Sequence, residues 1–476
     1  MKKINLFKIV MLSLLVVLAL TWIVPASSFD GRTLTGIAIT PVPLLSVFSN
    51  IFASLSVSYF PQMAIFILAV GGFYGILNIT DAYSNLVQKV AKHAKKRAKI
   101  FIVATTVLFA LLASFVSFPF ALFVFVPMFV TVILAMGYDK LTALAATVGA
   151  IAVGMIGTLY GYSLAGEINT TLGLNMSNAI FARVALFNIG VCLLSFYIVG
   201  RADKVSAKEK EESKEYDTMY VEAEKSKKGT VAISITLATT FVLFVLGFVT
   251  WSSTFGIKVF ESFNTWFLGL KLFKFPLMGN IFGKFSAFGS WSFIDITVVL
   301  IIATIVMAVI YRIKLNEYLI AFFEGVKKLL PTSAIILLAL SVLIVSNANT
   351  YQSIVGITPA FFDFFLSLTD KFSLLALIIP TLLSAVINVD AHYFVQFGLE
   401  IVNASVANES VNPVIGLLFQ TMYGFAALFA PTSLILLAGL SYLEVSYTKW
   451  IKYIAMFLLQ IFAVIMAVLI IVKFII

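Results

Sequence analysis

Apolar residues fall in runs of about 17 to 25 positions, the length that carries a helix across roughly 30 Å of hydrocarbon. Such runs lie near 7–24, 61–79, 100–118, 119–136, 141–162 and 179–199, and again near 231–250, 294–311, 331–345, 372–399, 414–440 and 451–472. A β-barrel would show shorter segments of alternating polarity. The pattern predicts an all-α polytopic membrane protein with about 10–12 transmembrane helices. Composition agrees: 61% of the 476 residues are hydrophobic, 11% are charged and the mean hydropathy is +1.07. A soluble domain has no use for so much apolar surface.

The first run, "MKKINLFKIVMLSLLVVLALTWIVPASS", imitates a secretory signal peptide but precedes many further runs, so an uncleaved first helix is expected. Lys89, Lys92, Lys95, Lys96, Arg97 and Lys99 follow the second run, and Arg312, Lys314, Lys327 and Lys328 follow the eighth. Both groups belong in the cytoplasm, which places the amino terminus there and the protein in the cytoplasmic membrane. The net charge of +10 sits in these short flanks, so it argues for orientation in a bilayer and against nucleic acid as a partner.

One long hydrophilic stretch, 201–228, mixes charges of both signs and reads as a solvated linker between a half at 1–200 and a half at 229–476. The halves echo one another weakly, as transporters built from two related bundles do. Each has a span running inward, a basic amphipathic segment ("AYSNLVQKVAKHAKKRAK" and "KLNEYLIAFFEGVKKL") and a span running out. A shorter echo, "PTSAIILLALS" from Pro331 and "PTSLILLAGLS" from Pro431, lies within the second half.

Chemistry is expected where helices break, because unwound backbone is tolerated in a membrane only beside a cavity or binding site. In "IIPTLLSAVINVDAHYFVQFGLE" two apolar pieces too short to span flank Asn388, Asp390 and His392, which reads as a re-entrant hairpin with a polar tip. In "LLFQTMYGFAALFAPTSLILL", Gln420, Thr421 and Tyr423 precede Pro431, Thr432 and Ser433, and the proline removes a helical hydrogen bond. The first half offers the weaker tip "SFVSFPFALFVFVP" and the run "GMIGTLYGYSLAGEINTT", with Thr158, Tyr160 and Ser163 as candidate contacts. Its glycines serve close helix packing equally well.

Asp390 and His392 are open to two readings, a structural pair or a functional site, and an ionisable group inside the membrane favours the second. His392 titrates near neutral pH when unperturbed, which opens a proton-coupling role; sodium coupling stays open beside it. Glu167 and Asp295 read as charges at the membrane boundary, and Arg183 as a side chain snorkelling from the start of the sixth span. Cys192, the single cysteine, reads as a small core residue, and His93 as solvated.

Two histidines about 300 residues apart supply no multi-histidine metal site, and no Gly-x4-Gly-Lys-Ser/Thr phosphate loop is present. The inventory argues against an enzyme or a nucleotide-driven pump and for secondary transport of a small-molecule substrate, with no bound cofactor. A channel or a membrane scaffold are the alternatives, and a homo-oligomer is open.

Several stretches resemble the YfcC-like branch of the ion transporter superfamily, which includes bacterial arginine/ornithine antiporters and is related to four-carbon dicarboxylate uptake carriers. They are "TWIVPASSFDG", "AVGGFYGILNITDA", "MGYDKLTALAATVGA", "FARVALFNIG", "FFEGVKKLLPTSAI" and "LFQTMYGFAALFAPTSLILLAGL". The resemblance implies an inverted repeat with two re-entrant hairpins and two discontinuous helices around one substrate. The charge pattern instead runs the first three spans of both halves in the same sense. This chain also departs from the branch at both tips, with "INVDAH" in place of a Ser/Gly-rich second tip and no acid in the first. With no Lys or Arg near the expected centre and Asp390 within it, the electrostatics lean to an amino acid, including a basic one, with a dicarboxylate as the alternative.

Overall fold

The computed structural model describes residues 2–57, 59–202, 229–283, 285–350, 353–368, 373–406, 408 and 410–475. Most of the stretch expected as a charged linker, 203–228, lies outside the described residues.

The chain opens with α1 (Lys2–Ile23), the short strands β1 (Ser27–Phe29) and β2 (Leu34–Gly36), and α2 (Ser46–Ser54). α3 (Phe60–Asn78) leads to the basic amphipathic α4 (Ala82–Lys95). A hairpin follows, with α5 (Ala98–Phe115) as one limb and a 3-10 turn (Pro119–Val124) plus α6 (Val126–Ala135) as the other; both limbs lie against α4. α7 (Lys140–Leu144), a π-helical turn (Ala145–Gly149) and α8 (Ala150–Ile156) form one rod that stops at Gly157. It resumes as a π-helical turn (Tyr162–Gly166) and α9 (Glu167–Thr171), and α10 (Ile180–Ala202) follows.

After α11 (Val231–Phe248) come three short helices, α12 (Trp251–Phe255), α13 (Val259–Leu268) and α14 (Leu277–Phe282). α15 (Phe293–Ile310) and α16 (Leu315–Ser346) lead to β3 (Asn347–Thr350), β4 (Ser353–Gly356) and α17 (Ile357–Ser367). The second hairpin pairs α18 (Leu374–Ile387) with a limb of α19 (Ala391–Phe394), a π-helical turn (Val395–Leu399) and α20 (Glu400–Val406). The second broken helix is α21 (Asn412–Ala427) and α22 (Leu434–Leu443), and α23 (Tyr447–Ile475) follows.

Eight of the described helices are long and apolar enough to cross a membrane, α5 among them. The protein is therefore an all-α, multi-pass membrane protein. The twelve apolar runs of the sequence resolve into seven uninterrupted helices, two broken helices and two hairpins, because the first hairpin had read as two runs.

α3 and α16 pack antiparallel at the centre, with Gly71 on Gly325, Gly75 on Ala321, and the Ser333 hydroxyl donating to the Ala64 carbonyl at 3.2 Å. Glycine is required here by distance: a Cβ on Gly71 would stand 2.5 Å from the Gly325 carbonyl oxygen. Close backbone approach is what holds helices together where lipid is as apolar as the side chains. Gly325→Leu is accordingly expected to prevent assembly of the bundle, read as loss of the monodisperse peak in detergent size-exclusion chromatography.

The two broken helices also cross antiparallel, since Gly416 meets Ile168 and Leu172, Gly424 meets Met155 and Ile156, and Gly439 meets Leu144 and Val148. α1 packs on α16 as α15 packs on α3, and α5 packs on α8 as α18 packs on α21. The result is an inverted repeat that relates α1–α10 to α15–α23 and leaves α11–α14 between them. The charge pattern runs α1, α3 and α5 in the same senses as α11, α15 and α16, and it is compatible with an inverted repeat because the counterpart of α1 is α15 and not α11. The segment "KLNEYLIAFFEGVKKL" is likewise no separate interfacial helix. It is the first half of the 32-residue α16, which continues through Pro331 for about 48 Å at helical rise.

A four-stranded antiparallel sheet, ordered β2-β1-β4-β3, ties the repeats together at the end opposite α4, with Ser28 paired to both Thr35 and Val355. α1 buries Leu6, Val10, Leu14 and Leu18 along one stripe and so belongs to the bundle core. Cys192 points outward from α10 instead of into the core, as do Met456 and Leu459 from α23.

Candidate functional site

Both hairpin tips and both helix breaks meet at one cavity of about 310 Å³. Each interruption frees backbone groups from the helical ladder, and each finds specific partners. At the first break, the amides of Leu159, Tyr160 and Gly161 all donate to the Ser114 carbonyl at 3.1, 2.9 and 3.0 Å. The freed carbonyls are taken by Arg183, whose Nε donates to Thr158 at 2.8 Å and whose Nη1 donates to Met176 at 2.7 Å and Asn178 at 3.1 Å, while Nη2 donates to Leu159. Arg183 is buried and does not snorkel to the surface. The first turn of α10 aims it inward at the break, and the carbonyl dipoles there compensate its charge.

The second break is served in the same manner. Trp450 Nε1 donates to Leu428 at 2.8 Å, the Tyr447 hydroxyl donates to Phe429, and Ser433 donates to Ala427 at 2.9 Å while accepting from the Leu436 amide at 3.4 Å. Ser433 is thus the N-cap of α22.

Several expected contacts turn out to serve the backbone. Gln420 donates from Nε2 to the Ile156 carbonyl at 3.1 Å, Thr158 donates to Met155 at 2.8 Å, and Thr432 donates to Val386 at the second tip. Thr421 is fully buried and bonds within its own helix to Leu417 and Leu418. The Tyr160 ring sits between Phe115 and Phe255 at centroid distances of 5.8 and 5.2 Å. Asn388, also fully buried, joins an amide and hydroxyl cluster: its Nδ2 donates to Ser384 at 3.0 Å and Thr358 at 3.3 Å, and its Oδ1 accepts from Asn347 at 3.1 Å. That cluster fixes the tip from behind.

Of the residues singled out in the sequence, Ser163, Asp390, His392, Tyr423 and Ser433 line the cavity. Tyr423 also donates from its hydroxyl to the Val389 carbonyl at 3.1 Å. Asp390 and His392 each turn to a partner of their own. Asp390 is the N-cap of α19, accepting at Oδ1 from the amides of His392 at 3.0 Å and Tyr393 at 3.3 Å and from the Tyr59 hydroxyl. His392 Nδ1 meets Glu167 Oε2 at 3.0 Å, which links the second hairpin to the resumed helix of the first repeat.

Glu167 is therefore a cavity residue and no interfacial charge. Asp295, the other acid read that way, forms a capping box with Ser292 at the start of α15. Tyr59 was not singled out at all, since an aromatic residue just before a span reads as an ordinary interfacial anchor. A signal for Glu167 did exist: it follows the Gly157–Gly161 break just as Asp390 marks the second tip.

Phe118, Pro119, Phe120, Met155 and Phe293 form the apolar wall of the cavity. Its charged lining residues are Glu167, Asp390 and His392, with no Lys or Arg among them. Among the described residues no group of three or more His, Cys, Asp or Glu side chains is placed to hold a metal ion.

Residues 5–474 match the sequence model of the DcuC family, described as C4-dicarboxylate anaerobic carriers. The chain belongs to this family. It is a carrier of the secondary-transport class, and its broken helices are the part of the fold that such a carrier needs at its binding site. Among solved structures, the Alcanivorax borkumensis YdaH transporter aligns over 99% of this DcuC-family chain and 97% of its own, at 12% identity and a TM-score of 0.38. No curated protein sequence matches the chain.

Proposed function

We propose that this carrier is a permease of the cytoplasmic membrane that moves a small polar metabolite, an amino acid and in particular a basic one, by alternating access, in the manner of an arginine/ornithine-type exchanger. The observation that carries the reading is the charge of the cavity: two carboxylates and one imidazole, without a Lys or Arg. An ammonium or guanidinium lying against Asp390 and Glu167 would be paired; a dicarboxylate would face two like charges in a medium of low dielectric. The substrate's own α-carboxylate has a place at the Ser433 end of α22, where a helix amino terminus favours an anion. The apolar wall suits the substrate's carbon chain, and the volume suits one small metabolite.

The alternative, a four-carbon dicarboxylate, is supported by the description of the family to which the chain belongs. The two readings separate in counterflow. Proteoliposomes loaded with unlabelled arginine, leucine or succinate are assayed for uptake of the same three solutes in labelled form. Saturable arginine uptake that requires internal amino acid is the expected result. Uptake confined to succinate would overturn the amino-acid assignment and leave the carrier intact.

The basic residues of α4, together with Arg312 and Lys314, support an orientation with that end and the amino terminus in the cytoplasm. The contact between Tyr59 and Asp390 supplies a further test. Tyr59→Phe is expected to raise the KM for substrate several-fold with little change in folded yield, because it removes a donor from a carboxylate that keeps its two backbone amides. Unchanged uptake kinetics would show that this hydroxyl has no part in binding.

A further inference from the structure

The Glu167–His392 contact joins the two repeats through the cavity. Glu167 stands on the first turn of α9, and His392 stands on the tip of the second hairpin. Neither side chain is sealed: the imidazole is 53% exposed and the carboxylate 27%. A solute in the cavity can therefore reach both, and so can water.

The two carboxylates differ in how they are held. Asp390 is fixed through Oδ1 by three donors from Tyr59, His392 and Tyr393. Glu167 is engaged by one side chain, the His392 ring. The group that holds Glu167 is also the cavity's own cation whenever the ring is protonated.

Resting on the amino-acid reading above, we infer that the His392 imidazolium is a built-in stand-in for the substrate's cationic group, so that binding an ammonium or guanidinium at Glu167 releases one proton from His392. The balance is simple. Without substrate, the cavity holds two carboxylates and one imidazolium; with arginine, whose α-ammonium and α-carboxylate cancel, it holds two carboxylates, one uncompensated guanidinium charge and a neutral imidazole, and the displaced proton passes to water. For a substrate of net charge +1 the charge carried through the membrane is the same in both states, so arginine and proton exchange without moving net charge.

The surroundings of His392 suit this exchange. Glu167 faces it from α9, Asp390 lies two residues away on its own tip and Glu400 acts on it from α20, while the Tyr393 ring is 5.4 Å away and Tyr59 and Tyr423 line the same cavity. The empty site suits an imidazolium, with the Glu167 carboxylate 3.0 Å from its Nδ1. The arrival of a second cation reverses that preference, because like charges at close range disfavour each other.

Two measurements test the exchange. In the first, arginine is titrated into purified wild-type protein by calorimetry at pH 6.5 in two buffers with different enthalpies of ionisation. Release of about one proton per arginine bound is expected, and heats that do not depend on the buffer would overturn the inference. In the second, arginine uptake is followed from pH 5.5 to 7.5 for wild type and His392→Gln, each normalised to its own rate at pH 7.5. Wild-type apparent affinity is expected to weaken about tenfold per pH unit on the acid side, as one competing proton requires. The variant is expected to lose that slope and to lose uptake driven by an outward proton gradient. Equal slopes in the two proteins would sink the proposal while leaving amino-acid transport standing. Absence of arginine counterflow in wild type would overturn both.

Discussion

Asp390→Asn is expected to lower solute uptake by about 100-fold or more while leaving a folded, monodisperse protein. Asparagine is nearly isosteric with aspartate and keeps a side-chain oxygen, so it still caps α19 and still accepts from Tyr59. What it lacks is the negative charge. Removing one partner of a buried, hydrogen-bonded charge pair costs about 2–5 kcal/mol of binding, and 2.7 kcal/mol corresponds to about 100-fold. The measurement is labelled arginine uptake in proteoliposomes, normalised to protein that elutes as a symmetric size-exclusion peak. Normal uptake by the variant would remove Asp390 from the substrate site.

The second large effect falls on stability. Arg183→Leu deprives the carbonyls of Thr158, Leu159, Met176 and Asn178 of their donor inside the bundle. Leaving a buried acceptor unsatisfied costs about 1–3 kcal/mol each, and the sum approaches the whole stability of a domain. Loss of the folded protein in detergent is the expected outcome. Arg183→Lys separates charge from geometry: an ammonium keeps the positive charge but lacks the planar fork that reaches several carbonyls at once. The Lys variant is expected to fold with a lowered Tm and slower uptake. A Leu variant with wild-type Tm would show that the break holds itself open without Arg183.

The second tip was legible because its signal is local. Asn388, Asp390 and His392 interrupt apolar pieces that are each too short to span, and the residues on either side are enough to say so. The partners of those groups were not legible. His392 meets a carboxylate 225 positions earlier in the chain, and Asp390 meets a hydroxyl 331 positions earlier. Arg183 was misread for the same reason: a cation at the start of a span looks interfacial until the break it serves is folded beside it.

The repeated words "PTSAIILLALS" and "PTSLILLAGLS" make the limit concrete. The first continues α16 straight through Pro331, whereas in the second Pro431 lies in a break and Ser433 starts a new helix. Once folded, the two stretches touch, with the hydroxyls of Thr332 and Ser441 2.7 Å apart. Whether a proline bends or ends a helix depends on which donors neighbouring elements bring to the freed carbonyls. At the second break those donors are Trp450 and Tyr447, on or beside a different helix from the proline.

By itself the sequence determined that the chain is helical, that it crosses a membrane many times and that its backbone breaks near Asp390, since hydropathy, run length and local polarity act over neighbouring residues. Only the tertiary structure decided which spans the inverted repeat relates, with its second copy beginning at α15, because apolar runs read the same in either direction through a membrane. The structure alone also brought Glu167 and Tyr59 to the cavity and Arg183 to the helix break beside it, because the pairing of a buried polar group is settled by whichever distant segment the packing of glycine-lined helices brings within hydrogen-bonding distance.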